Sequence, residues 1–218
     1  MAINRHLTGV LATALLLTGC SGTSTIELPA DPQARAATCY AAKLALFTTQ
    51  TARTGLSVDQ ANQAAHFLLL GASTNGIAEP TKAKALAAQG QALQAGIVER
   101  KNAAAYTQPC AKAYPETSPI AFKGLGADTP DTRMMCYALA NALVQIYQAS
   151  DVSPAGKGEA YARLYTTLDD RISAEVQAAG DPNVAELAGR AVRGLALGAQ
   201  AGPPTQVMDA CVARYLKR

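Results

Sequence analysis

The chain has 218 residues, with 19 basic against 16 acidic ones for a net charge of +3, and 49% of it is hydrophobic although it has no tryptophan and only three phenylalanines. That length suits one or two modest domains whose packing must rely on alanine, leucine and the eight tyrosines. Charges are scattered and no long basic run occurs, which leaves no electrostatic footprint for nucleic acid.

The N-terminus opens with Arg5 and His6 in a short polar head, continues through an apolar stretch from Leu7 to Thr18, and reaches Gly19-Cys20-Ser21. A basic head, a short apolar run and a small residue before the cut describe a secretory signal over residues 1–19. The run is shorter than the roughly 20 residues needed to span a bilayer. Leu17-Thr18-Gly19-Cys20 resembles the lipobox of bacterial lipoproteins. That resemblance implies a diacylglycerol thioether on Cys20, cleavage before it, and acylation of the new amino group. One acyl chain holds a protein marginally, whereas two or three hold it almost permanently. By the same resemblance, Ser21 in place of an aspartate permits sorting to an outer membrane, with the body in the periplasm. Residues 20–37, rich in small polar residues and carrying Pro29 and Pro32, read as a flexible lipidated tether.

The mature chain reads as all-α: helical half 1 over 38–115, a linker over 116–130 and helical half 2 over 131–218. In the first helix Cys39 and Leu46, with the Tyr40-Leu44-Phe47 row, give a broad apolar face that ends at Thr54-Gly55. Ser57 and Gln60 have capping-box spacing, and Val58, Ala61, Ala65, Leu68 and Leu69 follow on one stripe. Gly71 to Gly76 reads as a loop, and Pro80 as the first turn of a third helix. Leu86, Leu93 and Ile97 carry that helix, with Gly90 on the same face for close helix contact. A short last helix carries Tyr106, Cys110 and Tyr114.

Residues 115–131 hold three prolines and two glycines with little periodicity, which fits the linker. Cys136, Leu139, Leu143 and Ile146 then form a stripe, and after Pro154 so do Tyr161, Leu164, Leu168, Ile172 and Val176. Gly180 suits the end of that helix, and Asp181-Pro182 the start of the next. Gly202-Pro203-Pro204 precedes a last helix with Val207, Cys211, Tyr215 and Leu216. No segment sustains a period of two, so no sheet is expected.

With Cys20 assigned to lipid, Cys39, Cys110, Cys136 and Cys211 remain, an even number that argues for disulfides in an exported chain. No pair has CxxC spacing and His66 is the only histidine beyond His6, so neither a zinc set nor a CxxCH haem site is spelled. No metal and no cofactor are expected. Thr38–Leu46 aligns with Met135–Leu143, sharing Cys, Tyr, two alanines and the leucine, and Cys110/Tyr114 matches Cys211/Tyr215 at the same step. The cysteine separations are 71 and 75 positions. This internal similarity predicts a duplication in which each half is closed by its own bridge, Cys39–Cys110 and Cys136–Cys211. Cross-pairing, Cys39–Cys136 with Cys110–Cys211, stays compatible with a pseudo-twofold. Loops this long stabilise by about 4 kcal/mol each in the chain-entropy account.

No catalytic constellation is found. Gly71-Ala-Ser73-Thr-Asn-Gly76 has the wrong spacing for a nucleophile elbow and no preceding strand. Gly124-Leu-Gly126 lacks the strand–turn–helix setting of a dinucleotide site. Asp169 and Asp170 are adjacent on a helix and point about 100° apart. His66 has no matching nucleophile or carboxylate. The tyrosine pairs Tyr40/Tyr137 and Tyr114/Tyr215 read as core or interhelical residues, and Arg163, Arg190 and Arg193 as solvated helix faces.

These features point to a non-enzymatic, membrane-anchored envelope lipoprotein that acts as an interaction or scaffolding module with an envelope protein as partner. In architecture and location it is similar to small all-helical lipoproteins such as secretin pilotins, which bind a partner segment between helices; no motif here is diagnostic of them. A carrier of a lipid or other hydrophobic ligand is the alternative from another class, and an immunity protein against a periplasmic toxin a further one. A carrier calls for an enclosed apolar pocket, a docking module for an open apolar groove.

Overall fold

The structure, a computed structural model, describes residues 26–50, 55–149, 152–153, 155–178, 180 and 183–216. Cys20 and the signal, with Thr54, Pro154 and Asp181-Pro182, lie outside the described residues. The described chain is all-α apart from one tiny hairpin. Half 1 contains α1 (Pro32–Gln50), α2 (Val58–Ala72), α3 (Pro80–Glu99) and α4 (Thr107–Ala113), the last entered through a 3-10 turn at Ala103–Tyr106. Half 2 contains α5 (Pro130–Ala149), α6 (Lys157–Ala178), α7 (Val184–Ala201) and α8 (Pro204–Tyr215).

Local chemistry explains most of these ends. At the start of α2 the Gln60 N–H donates to Ser57 Oγ at 3.2 Å and the Ser57 N–H to Gln60 Oε1 at 2.9 Å, a reciprocal box that satisfies two helix-end donors. Pro80 and Pro204 occupy first-turn positions, where a missing N–H costs no helical bond. Asn183, rather than Asp181, caps α7, accepting from the Glu186 N–H at 3.0 Å.

Two boundaries and one helix face differ from the sequence expectation. Gly71 and Ala72 remain helical, and the expected loop after them is a hairpin, β1 (Ser73–Thr74) and β2 (Ile77–Ala78). Asn75 (φ 52°) and Gly76 (φ 75°) turn it, an Asn-Gly pair suited to two successive positive φ values. Leu93 is 39% exposed, off the buried Leu86–Gly90–Ile97 line. The third difference is at the tether: α1 begins at Pro32, and Leu28 already packs on the half-1 core. The Arg35 guanidinium donates to the carbonyls of Pro29 (3.0 Å) and Ala30 (2.6 Å). Residues 28–31 are therefore part of the body, because an arginine one turn into α1 folds back over them.

In each half the first helix is the hub: α1 packs on α2 and α3, and α5 on α6 and α7. A glycine lets the third helix approach. A Cβ on Gly90 would lie 2.4 Å from Tyr40 Cδ1 and 3.0 Å from the Ala37 carbonyl oxygen; one on Gly194 would lie 2.9 Å from the Met134 carbonyl oxygen. Ala37 and Met134 each stand two residues before the first cysteine of their half. The bridges are Cys39–Cys110 and Cys136–Cys211, both buried, each joining the first helix of a half to its last. The tyrosine after each second cysteine reaches back to the start of the first helix. Tyr114 Oη donates to the Pro32 carbonyl at 3.2 Å, and Tyr215 Oη to Asp128 Oδ1 at 2.8 Å.

The halves part at the second helix. α2 is apolar on two faces: Ala64, Phe67, Leu68 and Ala72 enter the half-1 core, while Val58, Ala61, Ala65 and Leu69 enter the core of half 2. A helix buried on both sides belongs to both layers, so the two halves share this element while their buried clusters stay distinct. Its counterpart α6 packs on α5 and α8 and leaves its outer face to solvent.

Candidate functional site

Where α3 of half 1 faces α5 and α7 of half 2, a groove of about 570 Å³ runs over α2. Its floor is buried and apolar: Tyr40, Leu68, Leu69, Ala138 and Leu195. Its walls are half-buried, mainly Ala83, Ala87, Ala142, Ile146 and Val192, and its rim carries exposed Thr81, Lys84, Gln91 and Gln145. Small wall residues follow from the alanine-rich helices. They leave room because neighbouring helix axes stay 8–10 Å apart while the side chains between them are short. Tyr40 and Tyr137, matched in sequence after the first cysteine of each half, both reach this groove. Tyr137 also stacks on Tyr165 (centroids 5.2 Å apart) and lines a smaller cavity of about 250 Å³ between α6 and α7 with Asp169. Burial and the Asp169 carboxylate push its phenol up, so it stays neutral and a donor.

A polar seam that the sequence reading missed lies where α2 meets half 2. Tyr147 Oη donates to Asn62 Oδ1, Asn62 Nδ2 to Thr205 Oγ1 (3.0 Å), and Thr205 Oγ1 to Asp59 Oδ1 (3.4 Å). Lys157 Nζ bridges Asp59 Oδ1 (3.2 Å) and Asp209 Oδ2 (3.3 Å), and Tyr161 Oη donates to Asp209 Oδ1 (2.8 Å). Burial comes first in raising both Tyr147 and Tyr161, and the neighbouring carboxylates add to it. Desolvation alone would lower Lys157, but its two carboxylates more than offset that. Both phenols and the amine therefore stay protonated and act as donors to the seam's oxygens. The available signal was Asn62 itself, a polar residue set within the Ala61–Ala65 run of a core helix.

His66 is buried, and its Nε2–H donates to the Ala199 carbonyl at 2.6 Å, joining α2 to the end of α7. Burial lowers its pKa to about 4, against which the Ala199 bond works only in part, so the ring is neutral. With the Cys39–Cys110 bridge and Lys43 it borders a second cavity of about 250 Å³. Burial also lowers the Lys43 amine, which sits 5.0 Å over the Phe47 ring.

Other candidate residues stay apart. Asp170 is exposed on α6 while Asp169 turns to Tyr137, so the two do not converge. Gly124 and Gly126 lie in the linker, where the Gly126 carbonyl accepts from Arg214 at 2.8 Å. Arg163 and Arg193 are exposed on different helices, with Arg190 half-buried. Among the described residues no group of histidine, cysteine and acidic side chains could hold a metal, and no helix is long and apolar enough to cross a membrane. No family model matches the chain, and neither a curated protein nor a solved structure matches it.

Proposed function

We propose that this protein is a non-enzymatic cell-envelope lipoprotein, anchored through lipid on Cys20, whose inter-half groove receives the apolar face of a segment from an envelope protein. The observation that carries this reading is the grading of the groove from apolar floor to polar rim along an open side. An open, small-walled groove suits an amphipathic helix laid into it, with apolar anchors at i, i+3, i+4 and i+7 facing the floor. A volume within the usual range of small-molecule sites favours a second reading, an apolar ligand carried in the same groove. We further infer that the halves descend from a duplication, supported by the paired cysteines and by the two glycines that approach equivalent carbonyls. Location in the periplasmic face of an outer membrane rests on Ser21 after the lipobox.

The test places a photocrosslinking residue at Gln91 or Gln145 on the rim of the lipidated protein in cells. One dominant protein adduct, lost when Ala142→Trp fills the groove, is expected. Stoichiometric apolar small molecule in native mass spectrometry, displaced by the same substitution, with no protein adduct, would replace the docking reading by the carrier.

A further inference from the structure

The start of the body is clamped, and that clamp has a consequence for orientation. Leu28 packs on the half-1 core, Arg35 holds the carbonyls of Pro29 and Ala30, and Asp31 Oδ1 accepts from the Ala34 N–H at 2.7 Å. Tyr114, edge-on against Phe67, fastens the carbonyl of Pro32. The chain from Cys20 to Leu28 precedes this clamp, and those few residues span at most about 28 Å when fully extended. A body of this length has a radius of gyration of about 16 Å and is about 40 Å across. The leash is therefore shorter than the body it holds. A free tether through residue 37 would be about twice as long, longer than the body is wide, and would impose no orientation.

The end of half 1 nearest the leash is identified by packing. α2 runs back along α1 so that Gly71, near its end, meets Ala36, where an added Cβ would lie 2.3 Å from the Ala36 Cβ. The hairpin follows directly and presents Ile77, 43% exposed, beside its Asn75-Gly76 turn. α3 runs the other way: Gly90 meets Ala37 and Tyr40, and Ile97 packs with Ala41, Ala42 and Ala45. Ala45 lies about 20 Å along α1 from Pro32. Val98, 36% exposed, thus marks the far end.

We propose that the hairpin end of half 1, with Ile77 at its tip, rests on the lipid surface that holds Cys20, while the Val98 end points away. This rests on the reading of Cys20 as the lipid-bearing residue. Charges near the hairpin are mixed, with Lys82 paired to Glu79 at 2.8 Å, so the orientation comes from the leash and not from attraction to anionic headgroups. It should accordingly be insensitive to salt.

The experiment uses the full lipidated protein in vesicles of phosphatidylethanolamine and phosphatidylglycerol, with a benzophenone amino acid replacing Ile77 or Val98 in turn. Lipid adducts several-fold more abundant at position 77, and levelled by a long Gly/Ser insertion between Cys20 and Ile26, are expected. Equal adducts, or more at position 98, on a chain whose intact mass shows the acyl groups would overturn the orientation alone. A mature chain without acyl mass would overturn the Cys20 reading and the orientation with it.

Discussion

The two halves share a plan and differ in what their second helix does. In half 2, α6 packs on its own neighbours and faces solvent. In half 1, α2 is buried on both sides and completes the interior of the other half through Val58, Ala61, Ala65 and Leu69. The same helix carries Asn62 and His66 into bonds with α5, α8 and the end of α7. Two similar units thus become one body by sharing an element. The groove exists because α3 stands beside α5 and α7 with α2 and Tyr40 of α1 beneath.

If α2 belongs to both cores, neither half should unfold alone, and the disulfides test this most strongly. Removing either bridge, Cys39/Cys110→Ala or Cys136/Cys211→Ala, should cost about 4 kcal/mol, since both close loops of similar length. Denaturant unfolding should remain one cooperative transition in both variants. Two separate transitions would break the picture of a shared helix.

The link between α2 and α7 is pH-sensitive. His66 has a folded pKa of about 4 against 6.5 when free, so between these values the unfolded chain holds the proton and the folded one does not. The contribution of neutral His66 is complete above pH 6.5 and is lost as pH falls toward 4, on the order of 3 kcal/mol over the window. Stability measured across this range should fall less steeply in His66→Gln than in the natural chain. Parallel slopes would remove His66 from the account.

The smallest effect compares the two close helix approaches. Gly194→Ala should cost about 1–3 kcal/mol by overpacking, less the roughly 1 kcal/mol that alanine gains over glycine in a helix. Its Cβ meets the Met134 backbone at 2.9 Å, which has nowhere to go. Gly90→Ala should cost at least as much, because its Cβ meets the Ala37 carbonyl oxygen at 3.0 Å and, closer still, the buried Tyr40 ring at 2.4 Å. Melting temperatures in the opposite order would show that the two approaches are not equivalent.

The sequence by itself determined the helices and the capping box at Ser57 and Gln60, and favoured the pairing of cysteines by half while leaving the cross-pairing open. These follow from local periodicity, end chemistry and the internal match, all carried by residues near one another or by repeated pattern. It also marked Gly90 as a close-contact position, since a glycine on an apolar helical line has few other uses. It misjudged Leu93 because apolar spacing cannot say how wide the buried face is, and the flanking helix covers only the Leu86–Ile97 line. Tertiary structure alone decided that α2 serves two cores, that Arg35 holds residues 28–31 on the body, and that Tyr147 finds Asn62. Each depends on groups far apart in the chain or on the path of the backbone, and a side chain's partner across such a distance leaves no periodic trace. The groove is of the same kind: its alanines read as ordinary helix formers until α3 and α5 are placed side by side.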